Sequence, residues 1–205
     1  MHFLHFHKVY RFFDNLNITF SLILIKKYMK TIKIFGIIML FFAINTSAQQ
    51  ISTADLQVTG LTCSMCSNAT QKSLETIGFI QSVKPDLNKN IFVLTFKKDA
   101  KVNLDLILKK VQDAGFSVGG LTADFNFNQV KIDDKGQAIV DGNVYRFANL
   151  KSKTLNGSVK ANVIDKDFIT NSAFKKESKS INSDAYASGS ANVNGKKTRI
   201  YHLSI

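Results

Sequence analysis

The 205-residue chain has two cysteines, Cys63 and Cys66, with Ser64 and Met65 between them. A pair at this spacing serves one of three chemistries: half of a zinc site, a redox dithiol, or a two-thiolate grip on a soft ion. A closed zinc site needs two further ligands. Beyond His7 the chain offers one histidine, His202, close to its far end. A redox dithiol of the thioredoxin type usually has tryptophan before the pair, proline or histidine within it and a cis-proline far along the chain. Here Thr62 precedes the pair, Ser64-Met65 lies within it, and the single proline, Pro85, is near in sequence. Thiolate sulfur is polarizable and prefers copper(I), mercury(II) and similar ions to hard cations. The two-thiolate reading therefore comes first, and a periplasmic thiol-disulfide oxidoreductase using the same cysteines is the alternative.

Positioning two thiolates is a task for the flanking elements. Residues 53–59 alternate as a short strand, and Gly60-Leu61-Thr62 turns the chain into the cysteines. Ser67 to Ile77 reads as a helix with Ala69, Leu74 and Ile77 inward and Gly78 as its stop. Cys66 then sits at a helix N-terminus, where unpaired amides and the helix dipole favour the thiolate. Cys63 lies in the loop just before it. Phe79 to Leu87 and Ile91 to Phe96 form a hairpin around Asn88-Lys89-Asn90. Asn103 caps a second helix with Leu104, Ile107, Leu108 and Val111 at helical spacing, and a last strand starts at Phe116. The order β-α-β-β-α-β predicts an α+β, ferredoxin-like sandwich with both helices on one face of an antiparallel sheet.

With its flanks included, this segment resembles a heavy-metal-associated domain. That family's pattern is G-M-T-C-x-x-C, and Gly60-Leu61-Thr62-Cys63-Ser64-Met65-Cys66 matches it with leucine for methionine. Leu74, Gly78, Val83 and Ala114-Gly115-Phe116 agree by type and spacing. The likeness spans residues 53–122. It implies one metal ion on Cys63 and Cys66, copper(I) before mercury(II), silver(I) or zinc(II). It also implies trafficking, sequestration or detoxification of that ion, with a metal-transporting membrane protein as a possible partner. Leu61 and Phe116 would shield the site, but both fit a plain core role better. Met65 is a soft donor, yet this position varies freely in the pattern, so an exposed loop residue is the simpler reading.

Two domains are expected, the metal-binding one over 53–124 and a small β-rich one, a meander or barrel of unassigned role, over 126–205. The second is rich in Asn, Lys, Ser and Gly, with short apolar runs at 138–140, 144–147 and 159–163 and one helix at 171–178. His202 there reads as a strand residue rather than a third ligand. Thirteen Lys/Arg against seven acids make this part basic. Solubility explains that balance without a nucleic-acid partner, and the lysine pairs are solvated faces. An interaction module gripping a partner through the basic domain is a third class of function. No Ser/His/Asp set, paired acids or phosphate-cradling glycine loop argues for an enzyme.

From Met29 the chain reads as a secretory signal peptide: Lys30 and Lys33, an apolar run from Ile34 to Ile44, then small residues up to Ala48. That run is too short to span a bilayer, so no stable span is expected in the mature chain. Export is expected, to the periplasm in a Gram-negative source. Residues 1–28, with His2, His5 and His7, read as an extension upstream of a true start at Met29.

Overall fold

The computed structural model describes residues 50–205 apart from Asp141, Asn182 and Asn194. The expected signal peptide at 29–48, the extension at 1–28 and its three histidines lie outside the described residues. The first six elements are β1 (Ile51–Thr59), α1 (Ser64–Glu75), β2 (Ile80–Asp86), β3 (Ile91–Phe96), α2 (Leu104–Asp113) and β4 (Ser117–Lys131). Their strands lie in the order β2-β3-β1-β4, all antiparallel. This is the ferredoxin-like arrangement expected from the sequence.

The inner faces follow from residue spacing. On β1, Ala54, Leu56 and Val58 alternate into the core, and Leu121, Ala123, Phe125 and Phe127 do so on β4. Leu104, Ile107 and Val111 of α2 are buried as expected, with the Asn103 side chain accepting from the Leu106 N–H at 3.1 Å as the cap. On α1 the inward set is Ser67, Thr70 and Leu74, continued by Ile77, whereas Ala69 is exposed. Ala69 was the wrong inward residue because positions 67, 70, 74 and 77 make one stripe at three- and four-residue spacing. Buried Thr70 costs little, since its hydroxyl donates to the Cys66 carbonyl at 3.1 Å.

The second half adds β5 (Gln137–Val140), β6 (Asn143–Phe147), β7 (Thr154–Val163), α3 (Asn171–Ile181), α4 (Asp184–Ser188), β8 (Ser190–Val193) and β9 (Lys196–Ser204). The sheet continues through β4 into β7, β9, β6 and β5, with β8 on β9. It stays open and is no barrel. Nor is it a plain meander, because β9 inserts between β7 and β6 and runs parallel to β6. The residue at which a boundary was expected, Phe125, lies inside β4, which pairs with β1 through residues 117–125 and with β7 through 122–131. The described residues from 50 onward accordingly belong to one compact unit.

Aromatic rings fill the joint. Phe125 stacks on Phe127 with centroids 5.9 Å apart and meets the Tyr145 edge at 5.6 Å. Phe127 meets Phe147 at 5.9 Å, and Tyr145 stacks on Tyr201 at 6.0 Å. A polar strut runs alongside. The Arg199 guanidinium donates to the Asp105 carboxylate at 3.0 Å from both Nε and Nη2, and the Tyr201 hydroxyl donates to the same carboxylate at 3.0 Å.

These contacts make residues 50–131 and 132–205 unfold together. Phe125→Ala should lower the unfolding free energy by about 3–5 kcal/mol while leaving a single transition. Chemical denaturation followed by both far-UV circular dichroism and tyrosine fluorescence checks this. Two separated transitions in the wild-type chain would contradict a shared core.

Candidate metal site

The metal loop is set by backbone geometry at both ends. Gly60 has φ +89°, a conformation that side chains rarely adopt, and it turns the chain out of β1. A Cβ there would lie 3.6 Å from the Phe116 ring, which packs beside the loop from the α2–β4 turn. Leu61 and Phe116 are partly buried against the core. Both therefore anchor the loop from below.

Helix α1 starts earlier than the sequence suggests. Cys63 is its N-cap, with extended backbone (φ −149°, ψ 162°), and its sulfur accepts from the Cys66 N–H at 3.4 Å. The Cys63 carbonyl accepts from the Ser67 N–H at 3.2 Å. Sulfur is outside the usual Ser/Thr/Asp/Asn set of caps, so capping rules place the start three residues late. Cys66 is thus inside the first helical turn, and Cys63 receives the free amides.

Both cysteines are free, and their sulfurs lie 2.8 Å apart. Cys63 is exposed and Cys66 partly so. The Cys63 thiol titrates below its ordinary range. The hydrogen bond with the Cys66 side chain is the largest cause, followed by the Cys66 backbone N–H; desolvation opposes them, and the Met65 backbone N–H adds a lesser lowering. A thiolate at neutral pH is the form that attacks electrophiles and binds metals.

Among the described residues no group of three His, Cys, Asp or Glu side chains could hold a metal ion. His202 is 1% exposed; its Nδ1 contacts the Asp165 carboxylate at 2.7 Å, and its backbone N–H donates to the other oxygen at 3.0 Å. Its ring edge meets Tyr186 at 5.0 Å. It is a core histidine committed to Asp165. Two neighbouring thiols with no third such side chain beside them would suit a soft ion of low coordination number better than a closed tetrahedral zinc site.

A groove of about 260 Å³ opens beside Cys63. One wall is the loop from Leu61 to Ser64, and the other is the β2–β3 hairpin from Pro85 to Phe92. Leu87, expected as an apolar member of β2, lies past the strand's end and is 66% exposed on this wall. Sequence reasoning missed it because an apolar residue next to a strand reads as core. Met65 is 80% exposed beside the cysteines.

The model of the heavy-metal-associated domain family matches residues 55–117. Among solved structures, the chain is similar to the CopZ metallochaperone, at 25% identity over 33% of this chain and 98% of that one, with a TM-score of 0.31. It is also similar to the yeast copper transporter domain CCC2A, solved in apo and Cu(I)-loaded states, at 28% identity over 32% of this chain and 88% of that one, with a TM-score of 0.29. No curated protein matches the chain. Among the described residues no helix is long and apolar enough to cross a membrane. Residues 55–117 are a heavy-metal-associated domain, carried in a chain whose sheet extends well beyond it.

Proposed function

We propose that the chain binds one copper(I) ion through Cys63 and Cys66 and carries it to an acceptor, in a compartment outside the cytoplasm. The observation that carries this reading is the pair of free sulfurs 2.8 Å apart at the start of α1. Copper(I) is a soft ion that two thiolates satisfy. Mercury(II) and silver(I) share that property and compete for the same pair. With metal–sulfur bonds of about 2.3 Å, an ion held in line would set the sulfurs about 4.6 Å apart. Cys63 is the exposed N-cap of α1, so widening the pair would be met by a turn of its side chain toward solvent.

The partners of Cys63 decide its proton state. A metal must displace the thiol protons, so a lowered Cys63 pKa reduces proton competition near neutral pH. Transfer to an acceptor proceeds by ligand exchange, which an open two-ligand site permits and a four-ligand cage obstructs. A metal-transporting membrane protein is a suitable acceptor. Export rests on the signal-peptide pattern of Met29 to Ala48. The same two sulfurs would serve a dithiol oxidoreductase, so the decisive measurements must separate carriage from turnover.

Anaerobic titration of the reduced protein with copper(I) against a chromophoric competitor should give one tight equivalent. Cys63→Ser and Cys66→Ser should each abolish it at competitor concentrations where the wild type is saturated. Catalysed insulin reduction, without tight copper binding, would point to the oxidoreductase instead.

A second expectation concerns proton state. Below its pKa a thiol is protonated and unreactive, so the rate of Cys63 alkylation by iodoacetamide should rise at a pH below the ordinary thiol value of about 8.5. Cys66→Ala removes the largest of the lowering interactions and should move that midpoint upward. Site-resolved mass spectrometry of the alkylated peptide reads both. An unchanged midpoint in Cys66→Ala would contradict the assigned cause.

A further inference from the structure

A second concavity, of about 250 Å³, is lined where the metal-binding segment meets the strands that follow it. Thr59 closes β1 and Ser117 opens β4, and both line this pocket. Gln112, near the end of α2, and the connection between β7 and α3 complete the lining. Neither half of the chain therefore builds the pocket alone. Its volume falls below the range of about 300–1,000 Å³ typical of drug-sized ligands, so its occupant is smaller.

The lining is polar and largely uncommitted. The side chains of Gln112, Ser117, Asp167 and Asn171 have no hydrogen-bond or ion-pair partner among the described residues. Asp167 brings the one ionisable group, and no described lysine or arginine pairs with it, although the whole chain carries a net charge of +12. The backbone fixes its place. The Phe168 N–H donates to the Asp165 carbonyl at 3.1 Å, Phe168 is fully buried, and Asp167 within this turn takes φ +67°. Few side chains enter that left-handed region, and short polar ones tolerate it best. Thr59 and Thr170 are already engaged. The Thr59 hydroxyl donates to the Ser117 carbonyl at 3.2 Å, and the Thr170 hydroxyl accepts from the Ala173 N–H at 3.3 Å where α3 begins. Those bonds steady the walls and leave the other four groups to a ligand.

We propose that this pocket binds a small polyhydroxylated molecule with one primary ammonium group, an amino sugar by chemical class. The ammonium donates to the Asp167 carboxylate, a charge-assisted bond and the strongest contact the lining offers. The Gln112 and Asn171 amides and the Ser117 hydroxyl each donate and accept, as sugar hydroxyls do, so each can pair with one. Val118 and Ile169 add a short apolar strip against which the C–H face of a sugar ring can rest. Asp167 opposes an anionic ligand, and a purely apolar one would strip water from four polar groups without replacing it. Neither cysteine takes part, so this site stands or falls apart from copper(I) binding.

Three probes separate the contributions: glucosamine, glucose without the ammonium, and ethylammonium without the hydroxyls. Each is added to the full-length chain at a pH of about 6, where an amine is protonated. Two-dimensional amide NMR should show saturable shifts with glucosamine, confined to Thr59, Gln112, Ser117, Asp167 and their neighbours. Glucose and ethylammonium should each bind about tenfold more weakly, having lost one set of contacts. Asparagine also tolerates left-handed backbone, so Asp167→Asn keeps the turn. That variant should weaken glucosamine about tenfold, by one charge-assisted bond, and bring it level with glucose. Gln112→Ala should weaken both sugars together. No saturable shift with glucosamine, or wild-type affinity in Asp167→Asn, would overturn the proposal. Glucose or ethylammonium binding the wild type as tightly as glucosamine would overturn it as well.

Discussion

Strand β4 is the constraint on which the remaining structure depends. Its fifteen residues give one edge to β1 and the other to β7, overlapping at residues 122–125. Around that overlap Leu121, Ala123, Phe125 and Phe127 face one side, and none is more than 3% exposed. Because side chains alternate strictly along a strand, a one-residue slip of β4 would turn this row to the opposite face. The metal loop inherits its position from the same register, since Thr59 of β1 opposes Ser117 of β4 and Gly60 follows directly. The first and second halves thus share a strand, a row of rings and a register.

A polar network reinforces the joint in a different way. Asp165, 2% exposed, accepts from the His202 backbone and ring, and an Arg199 amine lies 3.6 Å from it. Arg199 in turn holds Asp105 at the start of α2 and stacks over the Tyr201 ring at 4.3 Å. Two buried carboxylate oxygens with matched donors fix one geometry, because removing either partner would leave the other unsatisfied. Burial, then the nearby Asp105 carboxylate, pushes the Tyr201 hydroxyl well above its usual range, so it remains a donor. The strut therefore orients β9 against α2, beside the aromatic rings that fill the joint.

Local signals read well where one rule decides and badly where two compete. The Asn103 cap, the stripe of Leu104, Ile107 and Val111, and the hairpin from Ile80 to Phe96 each follow from a single pattern and stand as expected. The start of α1 did not, because Cys63 caps the helix with sulfur. Leu87 did not, because hydrophobicity alone does not say that a strand has ended. The extent of β4 was hidden for another reason. Asn126, Asn128 and Gln129 look like loop residues, but they occupy the outward positions and the irregularity of a strand whose partner, β7, arrives from more than twenty residues away. Pairing between distant segments leaves little local trace. Likewise, nothing near Asp165 in the sequence announces that it receives His202. The cysteine pair stood out as a candidate because its chemistry lies in two residues three positions apart.

The exposure of those cysteines is itself a consequence of the fold. A thiol prefers burial as a small hydrophobe, and free cysteine is among the residues most often found inside proteins. Here β1 ends at Thr59, Gly60 reverses the chain, and the Cys63 sulfur takes the amides that α1 leaves unpaired. The Cys66 side chain first, and then those amides, stabilise the anion, whereas burial would oppose it, so the outward position and the lowered pKa are compatible consequences of one placement. Leu61 and Phe116 fill the space beneath, which keeps the loop from collapsing onto the core. A loop formed this way favours a thiolate at Cys63 and leaves it open to solvent, and it gains both properties without a charged residue between Thr59 and Gln71.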